Sequence, residues 1–361
     1  MEISKTPFIV IQKKQFFNMS FRDVFILDIG TDTIKVYSKH QDLILQEANV
    51  IITQIHSSKV LAYGNIGKTI YNKLPINYTC SRPIKNGKIS DVRLITLMLK
   101  YIFTQISSKW HFSKAICYCI VNSNINQDDK EIINSILKKL QIGKTYFLNM
   151  TNLYLSLLQD SIKEQTFLLL EQGAGYTQIS IILNNSIIAS KELMVTGNYL
   201  DLQIINYIAK HFNMYIGEFE AKQIKENYGS ATELFENDSF EIYGKDLITS
   251  YHKKFKLTSS HIHFAIQNAL NGLVTEIINF LISQNDELKL KLQETLKTLY
   301  ITGGVSHLQN LDKFLHKELE LEIKTLDNDY ATICNLLYTK NILDNKKQAE
   351  NTNISQELVS N

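Results

Sequence analysis

Three glycine turns, each leaving an apolar run, hold the residue types that could grip a phosphate chain. They are Asp28-Ile29-Gly30-Thr31, Gly173-Ala174-Gly175-Tyr176-Thr177 and Thr302-Gly303-Gly304. Glycine lets backbone N–H groups approach an anion closely, and a threonine hydroxyl beside it adds a donor. The first two turns also follow a carboxylate, Asp28 in one and Glu171 in the other, and carboxylate oxygens are the ligands Mg²⁺ takes. One such turn after a strand occurs in many proteins that bind nothing. Two strand-hairpin units facing each other would instead clamp a phosphate tail, and the third turn would offer a flat backbone surface to a purine.

That chemistry needs rigid elements to present the turns. "VFILDIGTDTIKVYS" (24–38) reads as strand, tight turn and strand, and "FLLLEQGAGYTQISII" (167–182) repeats the pattern. "DDKEIINSILKKLQIG" (128–143) predicts a helix with an acidic start and Gly143 at its end. "NYLDLQIINYIAKHF" (198–212) and "GEFEAKQIKENYG" (217–229) both have helical spacing, the second stopping at Gly229. Ser259 or Ser260 is expected to cap a long helix through "HIHFAIQNALNGLVTEIINFLI" (261–282). His261 and His263, two apart, fall on different faces of that helix, so both are expected at the surface rather than on a metal. "TLYITGGVSHLQNLDKFLHKEL" (298–319) reads as a buried strand, a Gly-Gly turn and a helix.

With 361 residues and 44% apolar content, the chain can bury a large core and form two domains. The 38 basic and 36 acidic residues leave a net charge of only +2, which gives no electrostatic footprint for nucleic acid. Cys80, Cys117, Cys119 and Cys334 lack metal-ligand spacing; Cys117 and Cys119 read as two buried thiols on one strand face in a reducing cytosol. No apolar run approaches the roughly 18 to 20 residues that span a bilayer. The basic and aromatic segment "FIVIQKKQFFNMSFR" (8–22) reads either as an amphipathic helix touching membrane or as sequence around a start at Met19. The polar stretch from about 345, "NKKQAENTNISQELVSN", predicts a disordered tail.

The set of three turns, in this order, is the layout of the actin, Hsp70 and sugar-kinase superfamily. Within it the chain resembles the bacterial actin MreB family from about residue 24 to 342. The resemblance is carried by "RPIKNGKISD" (82–91), "IINYIAKHFNMYIGEFEAKQIKENYGSA" (204–231), "GKDLITS" (244–250) and "YITGGVSHLQNLDKFL" (300–315). It implies an α/β, actin-like fold with two subdivided RNase H-like domains around a nucleotide cleft. The first domain would cover 23–150, with a small subdomain at about 42–85, and the second 151–330. The chain would return to the first at 331–344, between an extension at 1–22 and a tail at 345–361.

The resemblance also implies ATP and Mg²⁺ in the cleft. Asp28, Gly30 and Thr31 match the family's first phosphate turn, Gly173, Gly175 and Thr177 the second, Gly303 and Gly304 the adenosine turn, and Lys225 a nucleotide-contacting lysine. Asp201 matches an aspartate of the family's GDxxD segment, here "GNYLD". Asp28 and Glu171 would hold the metal, and Glu171 and Asn149 stand at the positions of the family's catalytic carboxylates.

Several positions depart from the family pattern. Its DxGTANT turn is "DIGTDTI" here, and the added carboxylate of Asp32 would repel a phosphate 4 Å away by about 4 kcal/mol at an effective dielectric near 20, unless it points away or meets Mg²⁺. Glu171 replaces an aspartate, Tyr176 a threonine, and Lys222 a glutamate that contacts ribose. The water-positioning glutamates of EEPMAAAIG become Asn149 and Met150, a loss expected to slow phosphoryl transfer on the order of 10²-fold or more.

The resemblance implies a cell-shape filament on the inner face of the cytoplasmic membrane, built from this chain or a related MreB-like protein and engaging rod-shape membrane proteins. In "SSKWHFSK" (107–114), Trp110 and Phe112 between Lys109 and Lys114 match the family's lipid-dipping pair, and such residues suit a bilayer interface. The expected function is a filament protein that binds ATP with impaired or absent hydrolysis, a slow ATPase at most. An active ATPase driving dynamic filaments, and an adaptor that binds no nucleotide, remain open.

Overall fold

The computed structural model describes residues 24–38, 43–57, 59–71, 74–106, 115–122, 125–158, 165–233 and 238–326. The segments 1–22, 331–344 and 345–361, the Trp110 and Phe112 loop, and Cys334 lie outside the described residues.

An antiparallel meander opens the fold: β1 (Val24–Ile29), β2 (Thr33–Ser38) and β3 (Leu43–Ala48). A small lobe follows, with β4 (Ile51–Gln54), β5 (Val60–Tyr63), α1 (Gly64–Ile70) and β6 (Tyr78–Ser81), then the short ladder of β7 (Ile84–Lys85) and β8 (Lys88–Ile89). The chain then returns through α2 (Val92–Ile106), β9 (Ile116–Val121), α3 (Gln127–Lys139) and β10 (Lys144–Asn149). β9 and β10 add in parallel beyond β1, giving the order β10-β9-β1-β2-β3.

The second sheet repeats this design. After α4 (Met150–Leu158), a meander of β11 (Thr166–Gln172), β12 (Thr177–Leu183) and β13 (Ser186–Glu192) leads into α5 (Gly197–Phe212), β14 (Met214–Tyr215) and α6 (Glu218–Tyr228). The ribbon of β15 (Ser239–Asp246) and β16 (His252–Thr258) runs without a loop into α7 (Ser259–Ile282). Then come α8 (Asp286–Thr295), β17 (Thr298–Thr302), one 3₁₀ turn, α9 (Leu311–Leu319) and β18 (Glu322–Thr325). The sheet order is β13-β12-β11-β17-β18, with β17 and β18 parallel to β11.

Strand alternation sorts the core. Phe25 and Leu27 face α2 and α3 with Met98, Leu99, Ile133 and Leu137, and Leu168 and Leu170 face α5 and α7 with Ile204, Ile266 and Leu270. The opposite faces, through Ile26, Phe167, Leu169 and Tyr300, close on Met150 and Tyr154 of α4 in a cluster shared by both sheets. Central strands buried on both faces account for the continuous apolar runs in the sequence.

The helix boundaries follow their caps. Asn126 starts α3 by accepting from the Asp129 N–H at 2.7 Å, and the helix stops at Lys139, short of Gly143. Thr196 caps α5, which ends at a left-handed Asn213. The cap of α7 is Thr258, not Ser259 or Ser260, because the last residue of β16 is already extended. His261, half-buried, accepts at Nδ1 from the Thr258 N–H at 3.1 Å, while His263 is buried with Nδ1 3.1 Å from the Ser230 carbonyl oxygen, so the expectation of a surface position fails for His263. Cys117 and Cys119 are fully buried on one face of β9, their sulfurs 3.6 Å apart.

Candidate functional site

The carboxyl ends of β1, β9, β11 and β17 converge on a cleft of about 470 Å³ between the two sheets. Ligands of open α/β sheets bind at such strand ends. Each hairpin is closed by its own backbone: the Gly30 N–H donates to the Thr33 carbonyl at 3.1 Å and the Gly173 N–H to the Tyr176 carbonyl at 2.8 Å. The two turns meet, since a Cβ on Gly175 would lie 2.6 Å from the Thr31 side chain. Only glycine permits that approach.

Surrounding elements fix both turns. Asn49, fully buried, donates through Nδ2 to the carbonyls of Thr31 at 2.9 Å and Ile84 at 3.0 Å. Thr31 Oγ1 accepts from the Gly87 N–H at 3.1 Å. On the other side, the N–H groups of Gly197 and Asn198 at the start of α5 donate to the Gly173 and Ala174 carbonyls at 2.9 and 2.7 Å. The third turn stands beside them: Gly303 has φ +92°, and a Cβ there would sit 2.4 Å from the Gln172 carbonyl oxygen, whereas a Cβ on Gly304 would meet nothing within 4 Å. Gly304 therefore borders open cleft, space of the kind a flat base needs.

Among the residues singled out from the sequence, Asp28, Gly30, Thr31, Glu171, Gly173, Gly175, Lys225, Gly303 and Gly304 all line this cleft. Thr177 does not; it is buried beneath the hairpin and its hydroxyl donates to the Val195 carbonyl at 2.8 Å. Asn149 ends β10, and its Oδ1 accepts from the Thr151 N–H at 2.8 Å as a cap for α4, while Met150 lines the cleft beside it. Lys225 is held by Asp201 at 2.7 Å and donates to the Gly197 carbonyl at 2.8 Å, so it braces the start of α5 as well as facing the cleft. Tyr176 turns its hydroxyl to Gln178, which donates to Thr151 Oγ1 at 3.3 Å and ties the second hairpin to α4.

Glu171 and Asp28 give the cleft two carboxylates. Burial, reinforced by the charge of Asp28, pushes the Glu171 carboxyl up to about 7, against a hydrogen bond with Thr151 that acts the other way. Two acids that resist joint ionisation are what a divalent cation relieves. Among the described residues no group of three or more His, Cys, Asp or Glu could hold a metal alone. Two carboxylates completed by water and phosphate oxygens fit Mg²⁺, which is commonly held that way.

Asp32 meets neither a free phosphate site nor a metal ligand set but two basic side chains, which removes the expected repulsion. It binds the Lys222 ammonium, and Arg82 Nη1 lies 3.7 Å away. Burial alone would raise its pKa; the charge and hydrogen bond of Lys222, then the charges of Arg82 and Lys68, prevail and hold it below the usual carboxylate range. Two departures from the family pattern that looked separate in the sequence, Asp32 and Lys222, are thus one pair. Sequence reasoning missed this pairing and also missed Asn49, which no local pattern marks.

Two like-ordered sheets, hairpins meeting over paired carboxylates and a glycine turn at open cleft define an actin-like fold. A solved MreB5 of Spiroplasma citri bound to AMPPNP superposes with a TM-score of 0.79 at 22% identity, covering 92% of this chain and 100% of that one. A MamK double helical filament superposes with a TM-score of 0.66 at 14% identity, covering 87% and 96%. The chain matches the MreB/Mbl protein family over residues 22–351, and it belongs to that family. Its curated relatives include the cell shape-determining protein Mbl of Bacillus cereus, 26% identical over 316 residues that cover 86% of this chain and 92% of the relative. The cell shape-determining protein MreB of Escherichia coli K12 is 27% identical over 327 residues, covering 89% and 93%.

Proposed function

We propose that this chain is a cell-shape filament protein whose cleft binds ATP with Mg²⁺ and hydrolyses it slowly or not at all. The observation that carries the reading is the meeting of the two glycine turns, Gly175 against Thr31, over Asp28 and Glu171. Backbone N–H groups of both turns would hold the phosphates, Gly303 and Gly304 would border the base, and the two carboxylates would hold the metal. The metal, when bound, neutralises phosphate charge and aligns the terminal phosphate. Slow hydrolysis follows from Asn149 at the end of β10 and Met150 at the start of α4: the amide is engaged as a helix cap and the thioether can neither accept a proton nor orient water. In this reading the domains divide near residue 150, and α4 connects them.

Nucleotide-bound MreB5 and filamentous MamK, as solved relatives in fold, support nucleotide binding and self-association here. Membrane attachment rests on Trp110 and Phe112 between lysines. Among the described residues no helix is long and apolar enough to cross a membrane, so attachment in this reading is peripheral.

A fluorescent ATP analogue titrated with Mg²⁺ tests the reading, with Gly304→Leu as the blocked cleft because the new side chain enters open space. Micromolar binding lost in the variant supports it. Wild-type protein that binds nothing up to millimolar analogue overturns it.

A further inference from the structure

Charges from three distant parts of the chain cross the mouth of the cleft. Asp32 belongs to the first hairpin, Lys222 to the middle of α6, and Arg82 to the link between β6 and β7. The Lys222 ammonium donates to one Asp32 oxygen, and Arg82 Nη1 lies 3.7 Å from the other. Arg82 Nη2 reaches Glu218 at the start of α6 at 3.4 Å, and its guanidinium lies 5.1 Å from the centre of the Phe219 ring. The side chains of Arg82, Asp32 and Lys222 are only 12%, 17% and 19% exposed, so water and salt screen them weakly. Thr31 and Lys222 line both the 470 Å³ cleft and a neighbouring cavity of about 350 Å³, which Arg82 also lines. The ion pair therefore stands as a partition between the two spaces.

We propose that Asp32 and Lys222, backed by Arg82, form a latch that holds the two halves together across the cleft. A nucleotide between two facing domains supplies cohesion through its own charge; here a carboxylate from one half and an ammonium from the other supply cohesion of the chain's own. This regulates the site proposed above and rests on that reading only for the identity of what is captured. The latch gives the two residues unlike effects on an anionic ligand. Breaking it at Asp32 leaves the Lys222 ammonium at the cleft with only the exposed carboxylate of Glu226, 3.6 Å away, whereas breaking it at Lys222 leaves a carboxylate weakly countered by Arg82.

Hydrogen exchange on the full, nucleotide-free chain tests closure, read in the first hairpin (29–36) and α6, with β12 and α7 as folding controls. Asp32→Asn and Lys222→Gln should each raise exchange in the hairpin and α6 roughly fivefold or more, and the double variant should go no further than either single one. The exchanged pair, Asp32→Lys with Lys222→Asp, should return exchange toward wild type. Unchanged exchange in the single variants, or effects that simply add in the double, would overturn the latch. In titrations with the ATP analogue and Mg²⁺, Asp32→Asn should bind more tightly than wild type and Lys222→Gln more weakly; the same direction in both would also overturn it. Wild-type protein that binds no analogue removes the nucleotide reading alone, and the exchange comparison still decides the latch.

Discussion

Glu171 holds its proton to about pH 7 in the fold, against about 4.3 for an unfolded glutamate. The folded chain therefore binds more protons than the unfolded one across that window, and its stability falls as pH rises through it. Glu171→Gln removes the cost of ionising beside Asp28. Thermal melts in a chelator should match wild type near pH 4 and show the variant more stable at pH 8, by on the order of 2 kcal/mol. Equal melts at both pH values would mean the carboxyl is not strained. Asn49 holds the first turn through the Thr31 carbonyl. Asn49→Ala leaves the Thr31 and Ile84 carbonyls without their shared donor and should cost about 1–3 kcal/mol, with weaker binding of the ATP analogue. Unaltered stability together with unaltered binding would remove Asn49 from the turn's support.

At the scale of elements, the third turn separates two adjacent glycines. Gly303→Ala forces a side chain into a left-handed backbone and against the Gln172 carbonyl, and should destabilise by more than about 1 kcal/mol. Gly304→Ala meets open space and should stay within about 0.5 kcal/mol of wild type in denaturant melts. Indistinguishable variants would refute this account of the turn. The hairpins and most helices were legible in the sequence because their signals are local: apolar runs ending in glycine, Asp128 and Asp129 after Asn126, Gly229 after α6. What escaped was decided by neighbours distant in the chain. His263 reads as one more polar residue on a helix, yet Ser230, 33 positions away, gives its ring a buried partner. Asp32 and Lys222 stand 190 positions apart, so each by itself reads as an isolated charge in a phosphate site. Thr177 reads as a phosphate donor until Val195 is seen to take its hydroxyl. Thr258 was missed as a cap because strand and helix join with no loop to announce one.

For the whole molecule, the proposed function makes filament formation and membrane attachment separable by mutation. With ATP and Mg²⁺ the full chain should sediment as polymer, and Trp110→Ala with Phe112→Ala should leave that sedimentation intact while abolishing flotation with vesicles of anionic phospholipid. Retained flotation would move the membrane contact elsewhere. The repeated sheet order has a further use because the cysteines fall so unevenly. Cys117 and Cys119 are sealed inside the first sheet, while the second, from Thr166 to Thr325, contains no sulfur nucleophile other than thioethers. With Cys80 and Cys334 replaced by serine, a thiol reagent acts as a clock wired to the first sheet. Alkylation at Cys117 and Cys119 counts openings of the first sheet alone, and any ligand that knits the halves together will slow the clock without touching either sulfur.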